Sequence, residues 1–227
     1  MVKVNEAEVT IVPFDPDKHD WKVVQKVAYL GNTEPVQDAL LLQLFNLRLM
    51  VPLLMSSLAV GISTSLWYLG ILAFLSQCLG FYLYNMEYVV KYQLFSTYAD
   101  YNEKFTKFWT TSPNSLWVME YQGNIIGTIG LKLDDKYEWE ITRVGVKKNY
   151  RGNKLAKLLL GTAFNHSKQN GYKTITLSVS EVYGHVACKL YTKMGFKVSE
   201  IFCMPIPHFP VLPLVPPSKM VSMKKDI

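Results

Sequence analysis

One stretch, residues 144–156, constrains the fold of this chain more than any other. Apart from Arg143, the residues from Thr142 to Val146 are β-branched or apolar with one glycine, which suits a buried strand. A polar loop follows over Lys147–Asn153, and from Lys154 apolar residues recur at helical spacing. The sequence therefore predicts a strand, a tight loop and a helix whose N-terminal N–H groups can bind a phosphate. An ordinary surface turn with solvated basic residues is the alternative for the loop taken alone.

The composition narrows the class of partner. The 227 residues carry a formal net charge of +6 and have a pI of about 9.0, which fits a phosphate-bearing ligand, an anionic membrane surface or nucleic acid. No zinc-finger spacing, recognition helix or aromatic-basic sheet pattern is present, so we expect no nucleic-acid partner. The cysteines, at positions 78, 188 and 203, predict neither a metal site nor a disulfide framework. The acidic N-terminal residues do not indicate a signal peptide.

A long run without charge divides the chain. The 38 positions from Leu49 to Met86 hold no charged residue, whereas a membrane-spanning helix needs about 20 apolar residues. Residues 61–65 are small and polar, and they split the run into two arms, so we predict a membrane hairpin that spans fully or dips partway. Arg48 and Lys91 flank the run, which places both ends in the cytosol. A buried hairpin of a soluble helical region is the alternative.

The rest of the chain predicts an α+β domain. Residues 8–14 alternate as a first strand, and a helix begins at Trp21. Further strands are predicted over 115–121, 125–133, 137–146, 172–179 and 196–203, with helices over 154–168 and 186–194. Six prolines in residues 205–217 indicate an extended loop, and residues 219–223 are predicted as a final edge strand. The predicted domains are residues 1–48 and 87–227, which build the sheet, with the hairpin 49–86 inserted.

The motifs Val144-Gly-Val, Tyr150-Arg-Gly-Asn-Lys-Leu-Ala and Ala187-Cys-Lys-Leu-Tyr-Thr-Lys-Met-Gly-Phe, in this order of strands and helices, resemble the GCN5-related N-acetyltransferase (GNAT) superfamily. With the hydrophobic run and the proline-rich tail, the chain resembles the membrane-bound camello-like branch, which includes cysteine S-conjugate and aspartate N-acetyltransferases. The resemblance implies the GNAT fold, a mixed central sheet flanked by helices.

The resemblance also implies acetyl-CoA as co-substrate, an amine as acceptor and no metal. The residues implied to bind the pantetheine arm and the pyrophosphate are Val144, Gly145, Val146, Arg151, Gly152, Asn153, Lys154, Leu155 and Ala156. Lys154 stands where the family usually has glycine, so its side chain either folds aside and adds charge or crowds the pyrophosphate. Gly184 stands in a region where many relatives carry an asparagine that contacts CoA.

The catalytic residues follow from the chemistry. An attacking amine must lose a proton, and the departing thiolate is helped by a proton donor. Tyr191 matches the family's usual donor, with a packed tyrosine as the alternative. Glu138 and Glu140 precede Val144 on the same strand and are the candidate bases, with solvated carboxylates as the alternative. We predict that Arg143 grips an acceptor carboxylate, since an arginine cannot act as a base.

The sequence thus predicts a membrane-anchored N-acetyltransferase on the endoplasmic reticulum, with its catalytic domain facing the cytosol. The acceptor would be a small amino acid or a cysteine S-conjugate, and the other partner would be membrane lipid. The sequence leaves open whether the chain forms a homodimer. The alternatives are a protein lysine N-acetyltransferase of the same fold, and a membrane scaffold in which Lys154 has weakened turnover.

Overall fold

The computed structural model describes residues 2–30, 47–88, 105–134, 138–180, 184–203 and 219–227. The chain divides into two units, which are described separately. One comprises Met1–Glu34, Tyr98–Cys203 and Ser218–Ile227, and the other comprises Pro35–Thr97 and Met204–Pro217. The predicted loop over 205–217 lies outside the described residues.

The first unit is built on a mixed sheet. Its strands are β1 (Val9–Pro13), β2 (Ser115–Tyr121), β3 (Asn124–Leu133), β4 (Trp139–Val146), β5 (Thr174–Ser180), β6 (Lys197–Cys203) and β7 (Lys219–Asp226). The described strands form one seven-stranded sheet in the order β1-β2-β3-β4-β5-β7-β6. All neighbours are antiparallel except β4 and β5, which are parallel because helix α5 (Leu155–Gln169) carries the chain between them. The predicted mixed sheet with flanking helices is confirmed.

One predicted strand position is wrong. The sequence predicted residues 219–223 as a final edge strand, but β7 runs from Lys219 to Asp226 between β5 and β6. Val221 and Met223 of β7 are therefore buried in the core. Alternation of apolar residues shows that a strand has a buried face, but it does not show which neighbours the strand has.

Two hydrophobic clusters cover the faces of the sheet. On one face, α5 buries Leu155, Leu159, Leu160 and Ala163, and α6 (His185–Lys193) adds Tyr191. This helical spacing is the one that the sequence predicted for α5. The other cluster contains Val24 of α1 (residues 21–30), Phe105 and Trp109 of α4 (Phe105–Thr110), and Leu116 and Val118 of β2.

The second unit contains a pair of helices, α2 (Leu47–Thr64) and α3 (Trp67–Tyr88). Their backbones approach closely at Gly61 and Gly70, since a Cβ added to Gly70 would stand 2.8 Å from the carbonyl oxygen of Ser57. The polar residues 61–64 continue α2 rather than interrupt it, and the Ser63 and Thr64 hydroxyls donate to the carbonyl of Val60. The predicted break therefore begins at Ser65.

Large apolar side chains of both helices are exposed. They include Val51, Leu54, Met55, Leu58, Ile62, Ile71, Leu72, Leu75, Leu79 and Leu83, each between 45% and 78% exposed. Among the described residues, no helix is both long enough and apolar enough to cross a membrane. The two-helix arrangement that the sequence predicted is present, and the membrane insertion predicted for it is not confirmed.

Candidate acetyl-transfer site

The parallel strands β4 and β5 pair over three residues and then separate. Residues 139–141 of β4 pair with residues 175–177 of β5. Beyond them, β4 continues to Val146 and β5 continues to Ser180, but the two strands no longer pair with each other. The edge of β4 that faces β5 therefore carries backbone groups at residues 144–146 that the sheet does not use. An extended chain with its own amide groups can add to such an edge as a further strand would.

A bulge shapes this part of β4. Thr128 of β3 pairs with Gly145 and Gly130 pairs with Thr142, so that Arg143 and Val144 oppose the single residue 129. Arg143 has a φ of 54°, in the left-handed region, and its carbonyl accepts a hydrogen bond of 2.9 Å from the Thr128 hydroxyl. Arg143 is only 4% exposed. Residues with a side chain rarely adopt this backbone conformation, so the structure around the buried Arg143 must hold it in place.

The loop after β4 folds back onto the strand. The Arg151 Nε donates a hydrogen bond of 2.9 Å to the carbonyl of Val146, and Gly152 adopts a φ of 84° that favours glycine. Helix α5 begins immediately afterwards at Leu155, with Ala156 packed against the core. The residues predicted to bind the cofactor thus surround a helix N-terminus, where free N–H groups and the helix dipole favour an anion.

Lys154 is the residue before α5. Its φ of 58° lies in the left-handed region that favours glycine. It is exposed and lines a groove of about 690 Å³ with Lys157, Val9, Ile11 and Leu158 of β1 and α5, among other residues. Its backbone therefore keeps the shape of the family's glycine, and its side chain contributes to the groove beside β1.

Asn153 has a structural role in this loop. Its Nδ2 donates to the carbonyls of Val2 and Tyr150, both at 2.9 Å, and its Oδ1 accepts from the Val4 amide at 3.3 Å. These bonds use the side-chain amide to hold the N-terminal segment against the loop. The sequence could not indicate this, because the partners are about 150 residues apart along the chain.

Tyr191 lies on α6, 8% exposed, in the same hydrophobic cluster as Val146 and Leu155. Its ring meets Phe196 edge-on, with 5.9 Å between centroids. Burial, with a smaller contribution from the Cys188 thiol, raises the pKa of Tyr191 to about 12. The phenol therefore keeps its proton at neutral pH.

The two candidate bases each pair with a lysine. Glu140 Oε2 lies 3.1 Å from Lys132 Nζ, and both side chains are about 15% exposed. Glu138 Oε1 accepts a hydrogen bond of 2.7 Å from Lys224 Nζ, and each of these side chains is 38% exposed. The Glu138 carboxylate raises the pKa of Lys224. Each carboxylate is therefore held in an ion pair with a lysine and is not freely solvated.

Sequence reasoning missed both lysines. Lys132 faces Glu140 directly across the β3–β4 hairpin, whereas strands ending at 133 and beginning at 137 would have paired Lys132 with Glu138. Lys224 could not be found either, because its position depends on the insertion of β7 next to β5.

Glu140 lies in the part of β4 that pairs with β5, the loop at 151–154 follows β4, and Tyr191 lies on α6. Ile141 belongs to the cluster that contains Tyr191, so the alternation of β4 places Glu138 and Glu140 on the opposite face of the sheet. Within the part of the chain that the structure describes, no group of three His, Cys, Asp or Glu residues is placed to hold a metal ion.

Comparison with known proteins identifies the family. Residues 81–196, half of the chain, match the sequence profile of the "Acetyltransferase (GNAT) family". The chain belongs to the GNAT family. The resemblance that the sequence predicted is thereby confirmed.

Individual relatives match only part of this chain. A "Probable N-acetyltransferase family 8 member 5" of Mus musculus is 32% identical over 105 residues, covering 42% of this chain and 46% of the relative. An N-acetylaspartate synthetase of Xenopus tropicalis is 26% identical over 118 residues, covering 51% of this chain and 43% of the relative. The matched region is thus less than half the length of each of these relatives.

A solved structure shares the fold. The N-acetyltransferase from Staphylococcus aureus Mu50 superposes with a TM-score of 0.50 at 17% identity, over 63% of this chain and 88% of that chain. The names of the two relatives agree with the camello-like branch that the sequence predicted.

Proposed function

We propose that the protein is a membrane-anchored N-acetyltransferase that moves the acetyl group of acetyl-CoA to the amine of a small amino acid or cysteine S-conjugate. The observation that carries the proposal is the separation of β4 from β5 beside a helix N-terminus in a chain of the GNAT family. The separated edge accepts an extended amide-bearing arm, and the loop at 151–156 accepts its pyrophosphate.

The donor end of the site fits acetyl-CoA by charge and by shape. Val144, Gly145 and Val146 offer backbone groups to the pantetheine arm, and Gly152 lets phosphate oxygens approach the loop closely. Leu155 and Ala156 supply the first N–H groups of α5. Lys154 and Lys157 add positive charge beside them, and both residues line the groove next to β1.

The acceptor end is proposed to contain Arg143. This residue is buried at the bulge of β4, adjacent to the backbone of Val144. A guanidinium binds a carboxylate through two parallel hydrogen bonds, which suits an acceptor that carries an amine and a carboxylate on one carbon. An amino acid or its S-conjugate has this arrangement.

Two proton transfers complete the reaction. The acceptor nitrogen forms a bond to the acetyl carbon as the carbon–sulfur bond breaks. Glu140 accepts the proton that the amine loses, directly or through water, and Tyr191 donates a proton to the departing thiolate. Glu138 is the second candidate base, but it lies two residues further from the bulge, about 7 Å along the strand.

The proposed anchor is the α2–α3 pair. Its exposed leucine, isoleucine and valine side chains leave a large apolar surface that lipid would cover. Arg48 and Lys91 flank the uncharged run in the sequence, which favours a cytosolic position for both ends. We place the protein on the endoplasmic reticulum, facing the cytosol, with membrane lipid as its partner.

Turnover of acetyl-CoA against a panel of acceptors tests this function. Released thiol is measured with the twenty amino acids, a series of S-substituted cysteines, and lysine-containing peptides. We expect turnover with one class of carboxylate-bearing small amine. If turnover occurs with peptides and free amino acids do not compete, the protein is instead a lysine acetyltransferase. If titration calorimetry detects no binding of acetyl-CoA, the transferase proposal fails in favour of a scaffold.

A further inference from the structure

We propose that Lys132 is a positioning residue that holds the Glu140 carboxylate in the orientation needed to accept the amine proton. The inference rests on the acetyltransferase function proposed above. It concerns a residue outside the motifs of the family resemblance, on a strand that supplies none of the predicted site residues.

The geometry of the pair is specific. Lys132 of β3 and Glu140 of β4 are direct cross-strand partners, and their charged atoms lie 3.1 Å apart. Thr176 of β5 is the partner of Glu140 on its other side and is 7% exposed. The glutamate therefore lies in the middle of three strands, with its counter-ion fixed on one neighbour and a nearly buried neutral side chain on the other.

Burial separates this pair from the other lysine–glutamate pair of the sheet. The side chains of Lys132 and Glu140 are 16% and 14% exposed, whereas those of Lys224 and Glu138 are both 38% exposed. Solvent screens the more exposed pair, so its geometry is held weakly. Removing one partner of a buried pair leaves a charge without compensation, and that charge must change its position or its protonation.

Position along the strand links the buried pair to the reaction. Glu140 lies two residues before the pairing of Thr142 with Gly130, where the bulge and the separation from β5 begin. A base acts only when its carboxylate reaches the proton, directly or through one water, so a carboxylate that changes rotamer loses its function. The ion pair with Lys132 restrains that rotamer.

The test is a set of variants of the full-length protein assayed with the best acceptor of the panel. Lys132→Met should lower kcat at least tenfold while the KM for acetyl-CoA stays within about twofold, because the donor loop is elsewhere. Lys132→Arg should restore most of the kcat, since it restores the counter-ion. Lys132→Met combined with Glu140→Gln should be no slower than Glu140→Gln alone, because both changes remove the same function.

Lys224→Met provides the matched comparison, since it breaks the exposed pair and should have the smaller effect on kcat. The inference is overturned if Lys132→Met leaves kcat unchanged, if the double variant is slower than Glu140→Gln by the full Lys132→Met factor, or if Lys224→Met has the larger effect. Should Lys132→Met fail to fold, the double variant, in which both charges are absent, still tests the inference, because a kcat tenfold or more below that of Glu140→Gln alone would overturn it. Absence of turnover by the wild type with every acceptor would instead refute the proposed function.

Discussion

The six-membered ring of Trp109 lies directly over Gly130. A Cβ built on Gly130 would stand 2.5 Å from Cη2 and 2.9 Å from Cζ3 of the indole, closer than real Cβ atoms approach. Trp109 is 3% exposed and belongs to the cluster that joins α4 to β2. Since Gly130 pairs with Thr142 at the start of the bulge, the indole also supports the strand segment that carries Arg143.

Gly130→Ala should therefore destabilise the protein. The added methyl group forces the indole or strand β3 to move, and overpacking of a core of this kind costs about 1–3 kcal/mol. Chemical denaturation measures the loss. Gly161→Ala is the control, because an added Cβ there meets nothing within 4 Å and alanine favours the helix by up to about 1 kcal/mol. Equal stability of the Gly130→Ala variant and the wild type would contradict the contact.

Asn153 gives a prediction that separates a structural role from a ligand-binding role. Asn153→Ala removes three hydrogen bonds that hold residues 2–4 and 150, and should lower the free energy of unfolding by about 1–3 kcal/mol. Hydrogen exchange at the Val4 amide should become faster, while the KM for acetyl-CoA changes little. Asn165→Ala, at an exposed position of α5, should change neither stability nor exchange. A large rise in that KM without faster exchange would restore the predicted binding role.

Tyr191 gives two measurable effects. Tyr191→Phe removes the proposed proton donor and should lower kcat about 100-fold with little change in either KM. The pKa of Tyr191 is raised to about 12 in the folded protein from 10.0, so the folded state keeps the proton more tightly. The stability that this provides is complete below pH 10 and is lost as the pH rises through 12.

The wild type should therefore lose about 2–3 kcal/mol more stability than Tyr191→Phe between pH 10 and pH 12. Urea denaturation of both proteins at several alkaline pH values measures this difference in stability. The titration of the other tyrosines cancels, because both proteins contain them. Parallel pH curves for the two proteins would show that the phenol is solvated in the folded state.

Lys154 decides between the two effects that the sequence left open. Lys154→Gly removes a side chain from a left-handed position and should stabilise the protein by about 1 kcal/mol. Because Lys154 lines the groove beside β1, we expect its side chain not to crowd the pyrophosphate, and the KM for acetyl-CoA should stay the same or rise as a charge is lost. Lys154→Gln keeps the strain and removes the charge, which separates the two contributions. A fall in that KM of tenfold or more for Lys154→Gly would mean that the lysine crowds the pyrophosphate.

The local spacing of apolar residues and glycines predicted most of the strands and helices of this fold. The strand, loop and helix over residues 142–169 follow from apolar spacing and from the glycine at 152, because those features act within a few residues. The position of β7 between β5 and β6 and the link from Asn153 to residues 2–4 depend on segments far apart in sequence. Spacing carries no information about such contacts.

The candidate site was predictable to the same extent. Family motifs located β4, its loop and Tyr191, but they treated Glu138 and Glu140 as equivalent. The structure distinguishes the two carboxylates through their partners, since Lys132 lies in a buried pair and Lys224 in a half-exposed one. The first pair depends on the register of the β3–β4 hairpin, which the predicted strand ends place two residues away, and the second depends on the order of strands in the sheet.

The apolar surface of α3 gives the last prediction, which concerns the membrane. Leu72, Leu75 and Leu79 are each between 57% and 58% exposed, so water would surround them unless lipid covers them. Changing all three to lysine should release the protein from liposomes in a flotation assay, since each charge placed in the apolar region costs about 2–3 kcal/mol. Val198→Lys is the control, because Val198 is 56% exposed on β6 in the catalytic unit. Flotation of the triple variant equal to that of the control would reject the anchor and leave the transferase proposal intact.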